Sequence, residues 1–237
     1  LRRRQRQMCI RDRIEADALA IHLNPGQELI QPEGDTRFNA DLLNKVEEIL
    51  DRLDIPVIIK EVGTGLSMEV VKTFYEIGIR YFDVAGACGT NWIVVEGLRS
   101  RTSELKRELA FLLRNWGIPT PLSVIETRYV APEAYIIASG GVWNGVKGIK
   151  NLVLGADMIG FAKPVIEKLV KEGFEAADQY IHGYIETLKS IMFLIGARNI
   201  YELRKKPVVL LEPIISYLDQ RGVDLRLYVN EVRVGRL

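Results

Sequence analysis

The stretch Ala16-Asp17-Ala18-Leu19-Ala20-Ile21-His22-Leu23-Asn24-Pro25-Gly26-Gln27-Glu28 decides how this chain is read. Its first half, a nearly continuous apolar run, has the character of a strand buried on both faces. A polar cluster begins where that run stops. An imidazole, two side-chain amides and a carboxylate, His22, Asn24, Gln27 and Glu28, fall within seven residues. Pro32-Glu33-Gly34-Asp35 follows shortly. Such a group at a strand's carboxyl end is equipped to bind a charged ligand and to move a proton. Strand ends are where parallel α/β sheets collect their sites.

Outward from this stretch, short Val/Ile-rich runs alternate with amphipathic segments, the pattern of βαβ units and a parallel sheet. Strands are expected at 16–23, 56–63, 81–85, 135–141 and 157–162. Between the first two, Leu42, Leu43, Val46, Ile49, Leu50 and Leu53 recur at helical steps across 39–53, with Asn39 as cap. Ser67 caps a helix carrying Val70, Val71, Phe74 and Ile77, which stops near Gly78. A helix is expected around 102–116, and another from Thr120, with Pro121 in its first turn, to about Tyr129. The periodicity is helical from Pro164 to about Gly196, and a last short helix begins near Asn199. Five strand–helix repeats fit about the last five units of an α/β fold of the (β/α)8 TIM-barrel type. A flavodoxin-like open sheet is the rival arrangement. Nothing marks a second domain.

Composition narrows the class. The chain has 237 residues, 48% of them hydrophobic, and 20 scattered glycines, as in globular α/β proteins. Cys9 and Cys88 make no disulfide framework, and no CxxC or His/Cys cluster suggests zinc, so a reducing, cytoplasmic setting is expected. No apolar run approaches the roughly 20 residues of a membrane span. The net charge of +1 is uneven: residues 1–13 hold six Arg and one Asp, leaving 26 basic against 30 acidic residues, a net of −4, elsewhere. The arm suits phosphate binding in a nucleic-acid reader. The preferred reading is a non-native or disordered basic arm over 1–13, followed by a partial TIM-barrel domain with C-terminal helices over 14–237. No apolar core follows the arginines, so it is not a signal peptide, and neither nucleic acid nor a membrane is an expected partner. The absence of an initiator Met and the immediate entry into a strand suggest a fragment lacking its natural N-terminal part.

Glycine-rich strand ends are the second source of chemistry. Ser139-Gly140-Gly141-Val142-Trp143-Asn144-Gly145 follows one strand and Gly160-Phe161-Ala162 ends the next. Loops after the last two barrel strands commonly bind a phosphate through backbone N–H groups and a helix N-terminus; tight turns without a ligand are the plain alternative. Lys60 interrupts the apolar run Val57-Ile58-Ile59-Lys60-Glu61-Val62. A buried ammonium needs an anion or an electron-rich ligand, or an ion pair with Glu61 or a barrel-core carboxylate. Glu61 itself should point to the opposite face. Gly86-Ala87-Cys88-Gly89-Thr90-Asn91-Trp92 offers backbone donors and the Thr90 hydroxyl at a third strand end. Cys88 reads as inert and His182 as structural.

These segments, in this order, resemble the FMN-dependent type II isopentenyl-diphosphate isomerases. The carriers are His22-Leu23-Asn24 with Gln27-Glu28 and Pro32-Glu33-Gly34-Asp35, then Pro56 to Gly63, Asp83-Val84-Ala85-Gly86 with Gly89-Thr90-Asn91, Trp116-Gly117-Ile118-Pro119-Thr120, and Ala138-Ser139-Gly140-Gly141 with Asn144-Gly145. The resemblance implies interconversion of isopentenyl and dimethylallyl diphosphate with reduced FMN and Mg²⁺, NAD(P)H reducing the flavin. By position it implies that Gln27, His22 and Asn24 are catalytic and substrate-binding residues and that Glu28 holds the metal. Lys60 would lie near the flavin ring, Thr90 would contact FMN, and Gly141, Val142, Trp143, Asn144, Ala162 and Lys163 would surround its phosphate. It also implies a homo-oligomer at full length. The chain departs from the pattern where the earlier strands and an N-terminal basic pair are absent, and at Lys163, where the family generally has an apolar residue. On its own the polypeptide is therefore expected to be inactive and to expose unpaired sheet edges. The alternatives are another FMN-dependent barrel oxidoreductase, such as a 2-hydroxy-acid oxidase, or an inactive phosphate-binding fragment. The oxidase needs a catalytic His where 86–91 has none.

Overall fold

The computed structural model describes residues 15–36, 41–99 and 101–235, and the side chain of Asp41 is left aside. The basic arm over 1–13 and the Asn39 cap lie outside the described residues. Five strands, β1 (Leu19–His22), β2 (Val57–Lys60), β3 (Tyr81–Asp83), β4 (Tyr135–Ala138) and β5 (Met158–Ile159), form one sheet in the order β1-β2-β3-β4-β5. Every pairing is parallel. Strand order in unbroken chain sequence is that of a (β/α)8 barrel's wall; a flavodoxin-like sheet reverses direction at its first strand. The structure is thus a five-unit arc of a TIM barrel.

The helices are α1 (Pro25–Ile30), α2 (Asp41–Leu50), α3 (Met68–Glu76), α4 (Trp92–Gly97), α5 (Glu104–Leu112) and α6 (Thr120–Val130). They continue as α7 (Gly145–Val153), α8 (Lys163–Glu172), α9 (Phe174–Leu194), α10 (Ile200–Arg204), α11 (Ile214–Gln220) and α12 (Leu225–Leu227). Val57, Ile59, Phe82, Ile136 and Ala138 point from the sheet into a core shared with Val71 and Phe74 of α3 and Val124 and Ile125 of α6. On the opposite face the register aligns His22 with Lys60 and Lys60 with Asp83. Tyr81 and Tyr135, also paired on that face, stack with ring centroids 5.2 Å apart.

Several expectations change. The first strand is not buried on both faces: Leu19 and Ile21 are half-buried, while Ala20 and His22 are exposed. Among the described residues β1 pairs with β2 alone. The polar cluster after it is a helix, with Asn24 as cap: its Oδ1 accepts the Gln27 N–H at 2.8 Å. The helical run from Pro164 breaks at Gly173, whose φ of 90° suits glycine, dividing α8 from α9. α4 and α7 were not anticipated.

α6 is buried almost all round, and Ser123, Glu126 and Arg128 each find partners there. Ser123 bonds both the N–H and the carbonyl of Leu66. Glu126, fully buried, accepts from Met68 N–H, the Tyr217 hydroxyl and Arg221. Arg128, 1% exposed, donates to the carbonyls of Pro132, Ala134 and Gly155 and to Asp157 Oδ2 at 2.7 Å. Arg204 takes the other oxygen of Asp157 at 2.7 Å, and the Ile136 N–H donates to the carboxylate as well. Burial, opposed by the charge of Asp157, holds the Arg128 guanidinium below its usual range. This network lies at the amino ends of β4 and β5, the stabilising end of such folds.

Replacing Asp157 with Ala leaves two buried guanidinium groups without their counter-charge. Stability should fall by about 3–5 kcal/mol, read as a lower urea midpoint; a shift within a few tenths of a kcal/mol would show that the carbonyls alone satisfy both arginines.

Candidate functional site

At the carboxyl ends of the strands a cavity of about 530 Å³ opens, within the size range of small-molecule sites. Its floor is built on β2, β3 and the end of β4. Lys60 Nζ donates to Asp83 Oδ2 at 2.5 Å, and Ser139 Oγ donates to Asp83 Oδ1 at 2.5 Å. The lysine in the apolar strand therefore meets a barrel-face carboxylate, with its side chain still 36% exposed to the cavity. Glu61 points the other way. Its carboxylate accepts the N–H groups of Val62, Gly63, Thr64 and Gly65 and the Thr64 hydroxyl. One buried anion thus shapes the turn after β2, whose Gly63 lines the cavity. A Cβ on Gly63 would come 2.6 Å from the Thr90 carbonyl, so this turn also seats the loop that presents Thr90.

One rim comes from α1 and α4. His22 and Gln27 both line the cavity. Gln27 Nε2 donates to Glu96 Oε1 at 2.9 Å; Glu96, 5% exposed, takes Arg99 on its other oxygen at 2.6 Å. The amide nitrogen is thereby fixed, and the Gln27 carbonyl oxygen has no hydrogen bond among the described residues. Glu96 was missed from sequence, although a carboxylate within Ile93-Val94-Val95-Glu96-Gly97 calls for a partner by the same logic as Lys60. The rest of the cluster lies just behind the wall. Asn24 Oδ1 serves as a cap while its buried Nδ2 has no partner among the described residues, and Glu28 Oε2 accepts from Gln31 Nε2 at 2.9 Å and Asp35 N–H at 2.8 Å. Neither Asn24 nor Glu28 lines the cavity.

The opposite rim is glycine-rich because two loops touch backbone to backbone. Gly140 and Gly141 have φ of 87° and 80°, and Cβ atoms there would lie 2.3 Å from the Gly86 carbonyl and 2.1 Å from that of Cys88. The Thr120 hydroxyl donates to the Gly140 carbonyl at 2.5 Å. Gly141, Trp143, Ala162 and Lys163 line the cavity here, and so does Thr90, on the loop packed against Gly140 and Gly141. Lys147 and Lys163 lie over the Trp143 ring, 5.2 and 5.4 Å from its centroid. The helices α7 and α8 begin here, directing free N–H groups and the positive end of each dipole to one place. Val142 is buried, and Asn144 Oδ1 caps α7 through the Lys147 N–H at 3.0 Å; neither side chain reaches the cavity. Cys88 is exposed on its loop, and His182 lies out on α9 beside Asp178 at 3.5 Å.

Residues 6–210 match the family described as FMN-dependent dehydrogenase. The chain is 47% identical over 225 residues to the isopentenyl-diphosphate delta-isomerase of Sulfurisphaera tokodaii, covering 94% of this chain and 60% of that protein. It is 45% identical to the enzyme of the same name from Pyrococcus abyssi, covering 92% and 58%. The chain therefore spans about 60% of the length of these relatives. Among solved structures, a mandelate oxidase variant superposes with a TM-score of 0.60 at 15% identity, covering 86% of this chain and 59% of that one. That likeness concerns the fold alone.

Glu61→Leu keeps the volume but strands five donors. A loss of about 3 kcal/mol in unfolding free energy is expected, with faster hydrogen exchange confined to the amides of 62–65. Unchanged exchange there would show that the turn holds its shape without the carboxylate.

Proposed function

The chain belongs to the FMN-dependent dehydrogenase family, and from that premise we propose that its protein isomerises isopentenyl diphosphate to dimethylallyl diphosphate, using reduced FMN and Mg²⁺, with NAD(P)H as the flavin's reductant. One observation carries the reading. A single cavity joins a rim with an imidazole and an oriented amide, His22 and Gln27, to a rim where two helix N-termini and Lys163 converge. The sequence likeness to isopentenyl-diphosphate isomerases supports the same assignment.

The donor set of the second rim fits a flavin phosphate: backbone N–H groups, two dipoles and a lysine suit a dianion. Gly141, Trp143, Ala162 and Lys163 would hold it, with Thr90 on the adjoining loop and the Val142 and Asn144 backbones completing the set. Bound reduced FMN would supply the acid–base chemistry that carbon acids and alkenes require. The chain's own residues do the positioning. Asp83 holds Lys60 at the cavity floor, as a cation for an electron-rich ring. Glu96 fixes Gln27 so that its carbonyl oxygen faces the substrate's carbon tail, with His22 beside it.

The fit of Mg²⁺ is narrower. Among the described residues no group of three or more His, Cys, Asp or Glu is placed to hold a metal. Glu28 Oε1, free of hydrogen bonds among the described residues, is a lone carboxylate oxygen beside the rim. That suits an ion that keeps waters and takes its remaining ligands from substrate phosphates. Asn24, in this reading, supports Gln27 as the cap of its helix. Among the described residues no helix is long and apolar enough to cross a membrane; a cytoplasmic, homo-oligomeric full-length enzyme belongs to the proposal.

Titration of FMN into the chain should quench flavin fluorescence saturably. Mg²⁺ should bind with measurable heat only when a diphosphate is present, and Glu28→Gln should weaken that joint binding at least tenfold while leaving FMN affinity within about twofold. Equal loss of both would misplace the metal. The decisive assay extends the chain at its N-terminus with the corresponding segment of the Sulfurisphaera tokodaii relative and supplies isopentenyl diphosphate, FMN, NADPH and Mg²⁺. A flavin-loaded chimera that yields no dimethylallyl diphosphate would overturn the assignment.

A further inference from the structure

Two tyrosines of α9 reach back to the loop that closes the phosphate rim. The Tyr184 hydroxyl donates to the Val142 carbonyl at 3.2 Å, and the Tyr180 hydroxyl donates to the Trp143 carbonyl. α9 comes close enough because α7 presents glycines to it. A Cβ on Gly148 would lie 2.6 Å from the Tyr184 hydroxyl oxygen, and one on Gly145 would lie 2.6 Å from Thr187 Cβ. Phe161, on the cavity wall, stacks on Tyr184 at 4.3 Å and meets Tyr180 edge-on at 6.0 Å.

Both peptide units concerned are trans. In a trans unit the N–H points opposite to the carbonyl. Carbonyls 142 and 143 turned toward α9 therefore turn the N–H groups of Trp143 and Asn144 away from it. Neither N–H donates to any group among the described residues. Trp143 lines the cavity, and α7 starts one residue after Asn144. The two free donors thus extend the N-terminal donor set of α7 by two residues.

We propose that Tyr180 and Tyr184 are positioning residues for a phosphomonoester: by engaging two carbonyls they aim the Trp143 and Asn144 N–H groups at the ligand's phosphate, so the cavity favours a phosphorylated flavin over the unphosphorylated one. The inference rests on the flavin reading above and adds to it a reason for the choice between FMN and riboflavin. Burial, with Tyr180 nearby, pushes the Tyr184 hydroxyl up to about 12, and burial raises that of Tyr180, so both stay protonated donors through neutral and mildly alkaline solution.

The test uses the full chain and its Y180F, Y184F and doubly substituted forms, titrated separately with FMN and with riboflavin by flavin fluorescence. Each substitution removes one hydroxyl and keeps the ring on Phe161. FMN affinity should fall about tenfold in the double variant, the size of one to two lost oriented hydrogen bonds, with riboflavin affinity unchanged. Tyr180 is only half-buried, so Y180F should retain the native circular dichroism and melting temperature even if Y184F does not. An FMN-to-riboflavin affinity ratio that stays constant in Y180F overturns the inference while the flavin reading stands. If the unsubstituted chain binds neither flavin, both fall together.

Discussion

Asp83 joins three strands at the edge where the cavity lies. From β3 it receives Lys60 of β2 on one oxygen and Ser139, just past β4, on the other, each at 2.5 Å. Parallel pairing in chain order makes this possible, because it brings every strand's carboxyl end to the same side of the sheet. The imidazole of His22, in register with Lys60, follows from the same alignment. Charge on that floor is therefore arranged rather than merely present, and the loops above it inherit a fixed base.

The two ends of the sheet divide the work. At the amino ends, Arg128 and Arg204 share Asp157, and Arg233 ties the C-terminal segment to carbonyls of Val153, Arg204 and Lys206. These groups are largely buried and share carbonyls and one carboxylate, and they hold the late helices against β4 and β5. At the carboxyl ends the polar groups stay partly exposed, with free N–H groups and an incompletely used carboxylate at Glu28.

Much of this was legible in the residues. Val57 to Lys60, Tyr81 to Asp83 and Tyr135 to Ala138 are strands where β-branched and aromatic runs end in glycine, and the count of βα units limited the choice to two sheet orders. The structure decided between them by the unbroken order of its strands. Of the residues the resemblance named, His22, Gln27, Lys60, Thr90, Gly141, Trp143, Ala162 and Lys163 line the cavity and Asn24, Glu28, Val142 and Asn144 do not, and the resemblance named none of their partners. Glu96 lies 69 positions from Gln27 in sequence, and no periodicity reports such a pair. Glu61 was correctly turned from the cavity by strand alternation, yet its four backbone donors come from a turn whose shape the carboxylate itself creates. Helices as short as α1 and α4 carry too few turns for their hydrophobic spacing to declare them. α6 hid its burial for the opposite reason: Ser123, Glu126 and Arg128 look like a solvated face and are instead core residues with partners from distant segments.

The contact of Gly140 and Gly141 with Gly86 and Cys88 makes those two connections a single mechanical part. Lengthening or bulking up one without the other would pry them apart, so they are constrained to diverge in tandem. A library meant to alter what the cavity accepts would do better to vary both connections jointly, or to leave that seam intact and diversify the rim around Gln27 and His22.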